Sequence, residues 1–294
     1  MTRHLIHIGY PKTGSNFLRR WFAGHPQLAF AHGGMAGFQD LYDIVRQASA
    51  PPSATRYRVT SAEGFATPQP SFGEALANHD LPQPVSMAEA QRAVCSTLAE
   101  LFPNAMILLV TRGFAAAIVS LYSQYARTAG WYDFAQFCGA IEETPSLLDY
   151  CALIDVYAGA FGRENVIVMP YELLRDDADA FTHALESRLG LDHFAPPRER
   201  VNASLSAEEM YWYPRLTRAV RRLPSKRVGQ FYARAAFSNR LRLPIRMLNR
   251  LRPGAAINAD AIPQSLIDSL RGHAACLRHD PLYTPYANNY LFGS

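Results

Sequence analysis

The sequence predicts an α/β fold, a parallel sheet flanked by helices, followed by a basic, mostly helical C-terminal region. Three observations lead there. The runs Leu5–Gly9, Met106–Val110 and Asn165–Met169 are short, apolar and of strand length. Helical periodicity fills the stretches between them, and apolar strands alternating with amphipathic helices build parallel sheets covered on both faces. Apolar residues make up 49% of the 294-residue chain and charged residues only 18%, which supports a sizeable core and excludes a disordered chain.

In chain order, Leu5-Ile6-His7-Ile8-Gly9 reads as a buried strand and Tyr10–Ser15 as a loop. From Ser15 the positions Phe17, Leu18, Trp21 and Phe22 form a helical apolar stripe with Arg19 and Arg20 opposite. Gly24-His25-Pro26 ends that helix, because proline cannot continue it. A helix is expected around Phe38–Gln47, a strand at Tyr57–Ser61, and a long loop over the proline-rich, polar residues 66–85. Ser86 and Glu89 make a capping box for a helix through Glu100. After Thr111-Arg112-Gly113, the positions Ile118, Leu121, Tyr122 and Tyr125 mark another helix, and a further one near Leu147–Phe161 precedes the third apolar run. Later helical patterns, carrying Leu216, Val220 and Leu223 and then Leu241, Ile245 and Leu248, are punctuated by Pro224, Pro244 and Pro253. The tail from Asp280 reads as irregular. No linker separates a second domain, so the chain is expected to form a single domain over 1–294, with a core at 1–205 and the basic region at 206–294.

Four cysteines (Cys95, Cys138, Cys151, Cys276) are too few and too scattered for a disulfide framework, and none forms a C-x-x-C pair for zinc. The apolar start is too short and too polar-interrupted for a signal peptide, and no run approaches the ~18 apolar residues of a membrane span. The expectation is a soluble, reduced, cytoplasmic protein. Of the 29 basic residues only Lys12 and Lys226 are lysine. Between Met210 and Ala259 stand 12 basic residues and no Asp or Glu, so the net +4 balances +12 there against −8 elsewhere. Such a segment, with Tyr211, Trp212, Tyr213, Phe231 and Tyr232 among its arginines, suits an anionic partner. An anionic membrane surface, an anionic glycan or a lipid headgroup fits it, with the protein then peripheral at the inner face of a membrane.

The loop Gly9–Ser15 lies at the carboxyl end of a strand and opens a helix, where doubly wound sheets bind ligands. Gly14 permits a tight path, the helix start offers unpaired N–H groups, Lys12 adds a full charge, and Thr13, Ser15 and Asn16 add donors. Several converging hydrogen bonds to charged oxygen, each worth roughly 1.5–3 kcal/mol, offset the desolvation of a di-anion. The nucleotide-triphosphate loop places its lysine directly after a glycine. Here Lys12 comes two residues before Gly14, which argues against an ordinary ATPase or kinase.

The stretch Pro11-Lys12-Thr13-Gly14-Ser15 resembles the 5′-phosphosulfate loop of the sulfotransferases that use 3′-phosphoadenosine 5′-phosphosulfate. A second match supports the resemblance, with Arg112 at the end of a later strand and Ser120 eight residues on, in the following helix. It covers the strand–helix order from Leu5 to Met169 and implies a P-loop-type sheet. It further implies that Lys12 stabilises the departing phosphate oxygen while Thr13, Gly14, Ser15 and Asn16 hold the 5′-phosphate and Arg112 and Ser120 the 3′-phosphate. Phe17 matches an adenine-stacking aromatic and equally fits the core stripe. Arg200, Asn202 and Ser204 sit in a segment similar to a loop that closes over the 3′-phosphate side.

By the same resemblance Glu63, just after the second strand in VTSAEGF, stands where carbohydrate-modifying relatives carry the base, with His32 as the alternative and His79 weaker. The implied acceptor bears a hydroxyl, on a glycan, a lipid or a small molecule; no metal and no nucleic-acid partner is expected. Two other readings are a P-loop kinase-like phosphotransferase and a non-enzymatic protein binding an anionic surface.

Overall fold

The computed structural model describes residues 3–30, 55–68, 86–197, 205–238 and 240–293. Five strands form one parallel sheet, β1 (Arg3–His7), β2 (Leu28–Ala29), β3 (Tyr57–Ser61), β4 (Met106–Thr111) and β5 (Val166–Pro170), in the order β2-β3-β1-β4-β5. β1 pairs with β3 from Arg3 opposite Tyr57 to His7 opposite Ser61, and with β4 from Leu5 opposite Met106. The chain runs from β1 outward to β2 and β3, then crosses to β4 on the other side. Its strand order therefore reverses about β1, where open α/β sheets leave a crevice at their carboxyl ends. Among the described strands, only the two-residue β2 was outside the sequence expectation, being too short to carry a pattern.

Strand side chains alternate between two apolar layers. Leu5, Met106, Leu108 and Val110 pack with Leu18, Trp21 and Phe22 of α1 (Ser15–Gly24), while Ile6, Ile107 and Leu109 face the opposite layer. That second layer takes in α2 (Met87–Leu101), α3 (Phe114–Arg127), α4 (Phe134–Glu142) and α5 (Tyr150–Phe161). The Ser86–Glu89 capping box stands where the sequence puts it, and α5 starts later than expected because Asp149 caps it. α6 (Tyr171–Asp176) and α7 (Ala178–Leu189) follow β5. α8 (Ala207–Arg221), α9 (Lys226–Phe237), α10 (Arg242–Leu251) and α11 (Gln264–Ser269) make up the C-terminal region.

That region is joined to the body by buried side chains, since Tyr213, Ile245, Leu266, Tyr283 and Tyr290 belong to the same apolar cluster as α3 and α5. Pro244 does not break the chain as expected; it sits in the first turn of α10, where the missing N–H has no helical acceptor anyway. The tail forms 3₁₀ turns over Thr284–Tyr290, with Tyr283 and Tyr290 buried rather than loose. The expectation of a fully reduced chain is corrected. Cys151 and Cys276, 125 residues apart in sequence, form a disulfide, while Cys95 and Cys138 are free and buried. Tail packing makes the pairing, because the Cys151 amide donates to the His273 carbonyl (2.9 Å) beside it. The helix expected at Phe38–Gln47 and most of the loop 66–85 lie outside the described residues. No described helix is long and apolar enough to cross a membrane.

Two histidines of β1 are held neutral. Burial and the Arg19 charge push His7 down to about 3, and burial with Arg58 pushes His4 down to about 4. The unfolded chain, with imidazoles near 6.5, binds more protons than the native one below that pH. Stability is accordingly expected to fall as pH drops from about 6.5 toward about 4. Urea midpoints across that range would show it, and His4→Gln should flatten the slope.

Candidate active site

β1 is extended to Ile8, whose amide donates to the Leu108 carbonyl (2.9 Å), and the chain then turns sharply. Lys12 (φ 69°) and Gly14 (φ 86°) are both left-handed. For Lys12 that conformation costs about 1–2 kcal/mol, the kind of strain that clusters at working sites. A Cβ on Gly14 would meet Leu174 Cδ2 at 2.5 Å, so the turn needs glycine twice over. α1 begins with no side-chain cap and no acid in its first turn, unlike α2, α4, α7 and α8, each capped by Ser or Asp. Its first N–H groups keep their capacity and their positive partial charge for an anion.

The members of this loop do not all act as the sequence suggested. Thr13 is buried and its hydroxyl donates to the Tyr10 carbonyl (2.6 Å), so it shapes the turn and offers only its amide outward. The Asn16 side-chain oxygen is taken by Arg19. Phe17 is half-buried against the α1 side of the core, the structural half of its expected double role. Ser15 Oγ is buried with no hydrogen-bond partner among the described residues.

Arg112 follows β4 directly and Ser120 stands on α3, the next helix. Arg112 Nη1 donates to the Lys12 carbonyl (2.8 Å), tying the end of β4 to the loop across 100 residues. Its guanidinium carbon lies 4.6 Å from the centre of the Tyr171 ring, while its buried Nε has no hydrogen-bond partner among the described residues. Ser120, on α3, is likewise buried with an unpartnered hydroxyl. Buried polar atoms are seldom left without a partner, and three of those that are, Ser15 Oγ, Arg112 Nε and Ser120 Oγ, fall on residues the sequence singled out. A shallow cleft beside Arg112 is lined by Tyr10, Pro11 and Thr13 and by the apolar Leu121 and Leu148.

The electrostatics are one-sided. Burial lowers the Lys12 pKa, and the Arg127 and Arg112 charges lower it further; Glu63 opposes them. Glu63 begins a 3₁₀ turn directly after β3, whose Ala62 amide donates to the His7 carbonyl (3.1 Å), so the β1 and β3 ends bring carboxylate and lysine together. Arg127 was not singled out by sequence. The available signal was its spacing, two turns beyond Ser120 on the same face of α3.

Sequence reasoning also missed the frame around Arg112. Glu172 is fully buried, accepting from the Gly113 amide (2.9 Å) and from Tyr290 Oη (2.8 Å). Thr111 Oγ1 bonds to Tyr283 Oη (2.7 Å) and Tyr290 Oη (3.1 Å), and Tyr150 Oη donates to the Arg112 carbonyl (2.5 Å). Arg200, Asn202, Ser204, His32 and His79 lie outside the described residues. Leu205 is buried, and its amide donates to Ser123 Oγ (3.0 Å), three residues after Ser120 on α3. One group of metal-ligand types exists among the described residues, His183, Glu186 and His193, with donor atoms within 4.8 Å. It lies on α7 and the turn after it, where both Glu186 oxygens are already engaged by His193 Nδ1 (3.1 Å) and the Phe194 amide (2.8 Å).

A parallel sheet whose order reverses at β1 carries a strained cationic loop and Arg112 at its switch point, the place where open α/β sheets leave their ligand crevice. The chain belongs to the sulfotransferase family, whose sequence pattern, described as "Sulfotransferase family", matches residues 5–196. It is similar in fold to a sulfotransferase from Alicyclobacillus acidocaldarius, at TM-score 0.50 and 17% identity over 74% of this chain and 94% of that one. A mouse sulfotransferase, SULT7A1, solved with PAP, matches at TM-score 0.48 and 11% identity over 100% of this chain and 89% of that one. Comparison with curated proteins gives no match.

Tyr290→Phe removes hydroxyl bonds to Glu172 and Thr111 and should destabilise the protein by about 1–3 kcal/mol in urea unfolding.

Proposed function

We propose that this sulfotransferase moves a sulfuryl group from 3′-phosphoadenosine 5′-phosphosulfate to a hydroxyl of a carbohydrate or lipid-linked acceptor, as one domain. The observation that carries the reading is the set of buried polar atoms without a described partner on Ser15, Ser120 and Arg112, together with a lysine whose charge is disfavoured by burial and by two arginines. A doubly anionic ligand satisfies the first and relieves the second. The donor, when bound, supplies the activated sulfuryl group.

On this reading Lys12, Ser15 and the amides of Thr13, Gly14 and Asn16 hold the 5′-phosphosulfate, and Arg112 with Ser120 the 3′-phosphate. Phe17 is available to the adenine, and Arg200, Asn202 and Ser204 are the donors expected from the loop before Leu205. Glu63 takes the proton of the acceptor hydroxyl as its oxygen bonds to sulfur. Lys12 stabilises the charge on the phosphate oxygen as its bond to sulfur breaks. Positioning and preorganised charge do most of the catalytic work in such transfers. A lipid-linked acceptor would make the enzyme peripheral at a membrane face.

Thermal unfolding with 3′-phosphoadenosine 5′-phosphate, ADP and AMP tests the donor. The 3′-phosphorylated nucleotide alone should stabilise, by about 2.7 kcal/mol at a hundredfold excess over its Kd. Arg112→Ala should erase that preference; an equal shift by ADP, or turnover of magnesium-ATP, would favour the kinase-like reading. Glu63→Gln should lower kcat by roughly 10²–10⁴ while leaving the nucleotide shift intact, and an unchanged kcat would remove Glu63 from the chemistry.

A further inference from the structure

The arginines after Met210 divide into two groups. Arg218 pairs with Asp133 (3.6 Å), Arg221 stacks on Trp131 (3.8 Å), Arg215 stacks on Tyr211 (3.5 Å), and Arg242 and Arg246 share the buried Glu209 (3.4 and 3.9 Å). These five have partners within the fold, although Arg221 and Arg246 remain exposed. Arg222, Arg227, Arg234, Arg240, Arg250 and Arg252 are exposed, and no described residue pairs with them.

The same stretch holds every exposed large apolar side chain of the described residues, from Leu223 to Leu251. Leu243, Met247 and Leu251 recur at helical spacing along one face of α10, with 69%, 61% and 86% of their surface in solvent. Phe231 of α9 is 73% exposed.

This face cannot turn inward, because the other side of α10 is already committed. Ile245 is buried in the core, and Asn249 Oδ1 accepts from Trp212 Nε1 (3.1 Å) and from the Gly254 amide (2.9 Å). α9 is tied to α8 through Tyr232 Oη, which donates to the Tyr213 carbonyl (3.0 Å) and meets Thr217 Oγ1 (3.0 Å). A helix that is apolar on both sides, with its outer side rimmed by free arginines, has the build of an interfacial helix. Apolar tips enter the acyl boundary, and arginines reach the headgroups.

We propose that the outer face of α9 and α10 docks on an anionic lipid bilayer, with Phe231, Leu243, Met247 and Leu251 inserted and the unpaired arginines on phosphate headgroups. Charge complementarity selects this occupant. A second copy would bring two acid-free basic faces together, and like charges at an interface repel. The inner side of the region packs on α3, the helix of Ser120 and Arg127, so docking brings the enzyme to acceptors held in the same membrane. The inference deepens the lipid-linked acceptor proposed above, but binding itself requires no turnover.

Vesicle sedimentation of the full chain tests it, using phosphatidylcholine alone and an equal mixture with phosphatidylglycerol. The protein should pellet with the mixed vesicles and stay soluble with the neutral ones, and added salt should weaken the binding without abolishing it. Leu243→Ser/Met247→Ser/Leu251→Ser should reduce binding to mixed vesicles at least roughly tenfold, and Phe231→Ser separately should reduce it less. All four residues are exposed, so circular dichroism and the nucleotide-induced thermal shift should be unchanged in these variants. Equal recovery with both vesicle types, or wild-type binding by the triple variant, would overturn the proposal. So would a solution mass that doubles in the wild type and halves in the triple variant, or binding to acidic proteins in place of lipid. Loss of lipid binding with an intact nucleotide shift leaves the proposed donor site standing, and the reverse result leaves the docking face standing.

Discussion

The charge on Lys12 at the carboxyl edge of the sheet sets the terms for the rest of this molecule. Burial disfavours that charge, and the Arg127 and Arg112 charges disfavour it further, with Glu63 as the opposing carboxylate, so the arrangement costs free energy in the protein alone. It persists because each member is fixed by something else. Lys12 is carried on a left-handed turn whose carbonyl is bonded by Arg112. The Arg112 backbone is gripped by Tyr150, and the strand end before it by Tyr283 and Tyr290. Arg127 ends a helix packed beneath the C-terminal region, close enough to Tyr213 for its charge to be felt there. Preorganised positive potential stabilises negative charge as it develops in a group transfer, because no reorganisation is needed at that moment.

The tail is therefore part of the site's foundation. Glu172 is wholly buried, and a carboxylate there is tolerable only with its oxygens bonded. The Gly113 amide and the Tyr290 hydroxyl meet that need, so the residue before α3, the start of α6 and the end of the chain are locked together. A Cβ on Gly113 would lie 2.6 Å from Asn289 Cβ, which shows how closely the tail approaches the Arg112 segment. The Cys151–Cys276 disulfide fastens the same tail to α5, the helix that supplies Tyr150.

The C-terminal region combines two physical regimes in one short sequence. One set of its arginines engages Asp133, Trp131 and Glu209 and ties helices to the body. Its outward arginines stand among apolar side chains that the core has no room for. Net charge and composition describe the sum of the two and cannot separate them.

Local pattern alone determined the alternating strands and helices, the Ser86 capping box, the turn at Gly14 and the family resemblance through Lys12, Arg112 and Ser120. These were legible because propensity, periodicity and spacing act within a few residues of the chain. The unpaired state of the Ser15 and Ser120 hydroxyls, the loss of the Thr13 hydroxyl to Tyr10, and the approach of Arg127 to Lys12 were decided by the tertiary structure. So were the Cys151–Cys276 bond, against the expectation of free thiols, and the Glu172–Tyr290 lock. Each of the last two joins residues more than 100 positions apart. No local signal carries such a contact, because only the folded path of the whole chain brings its two halves together.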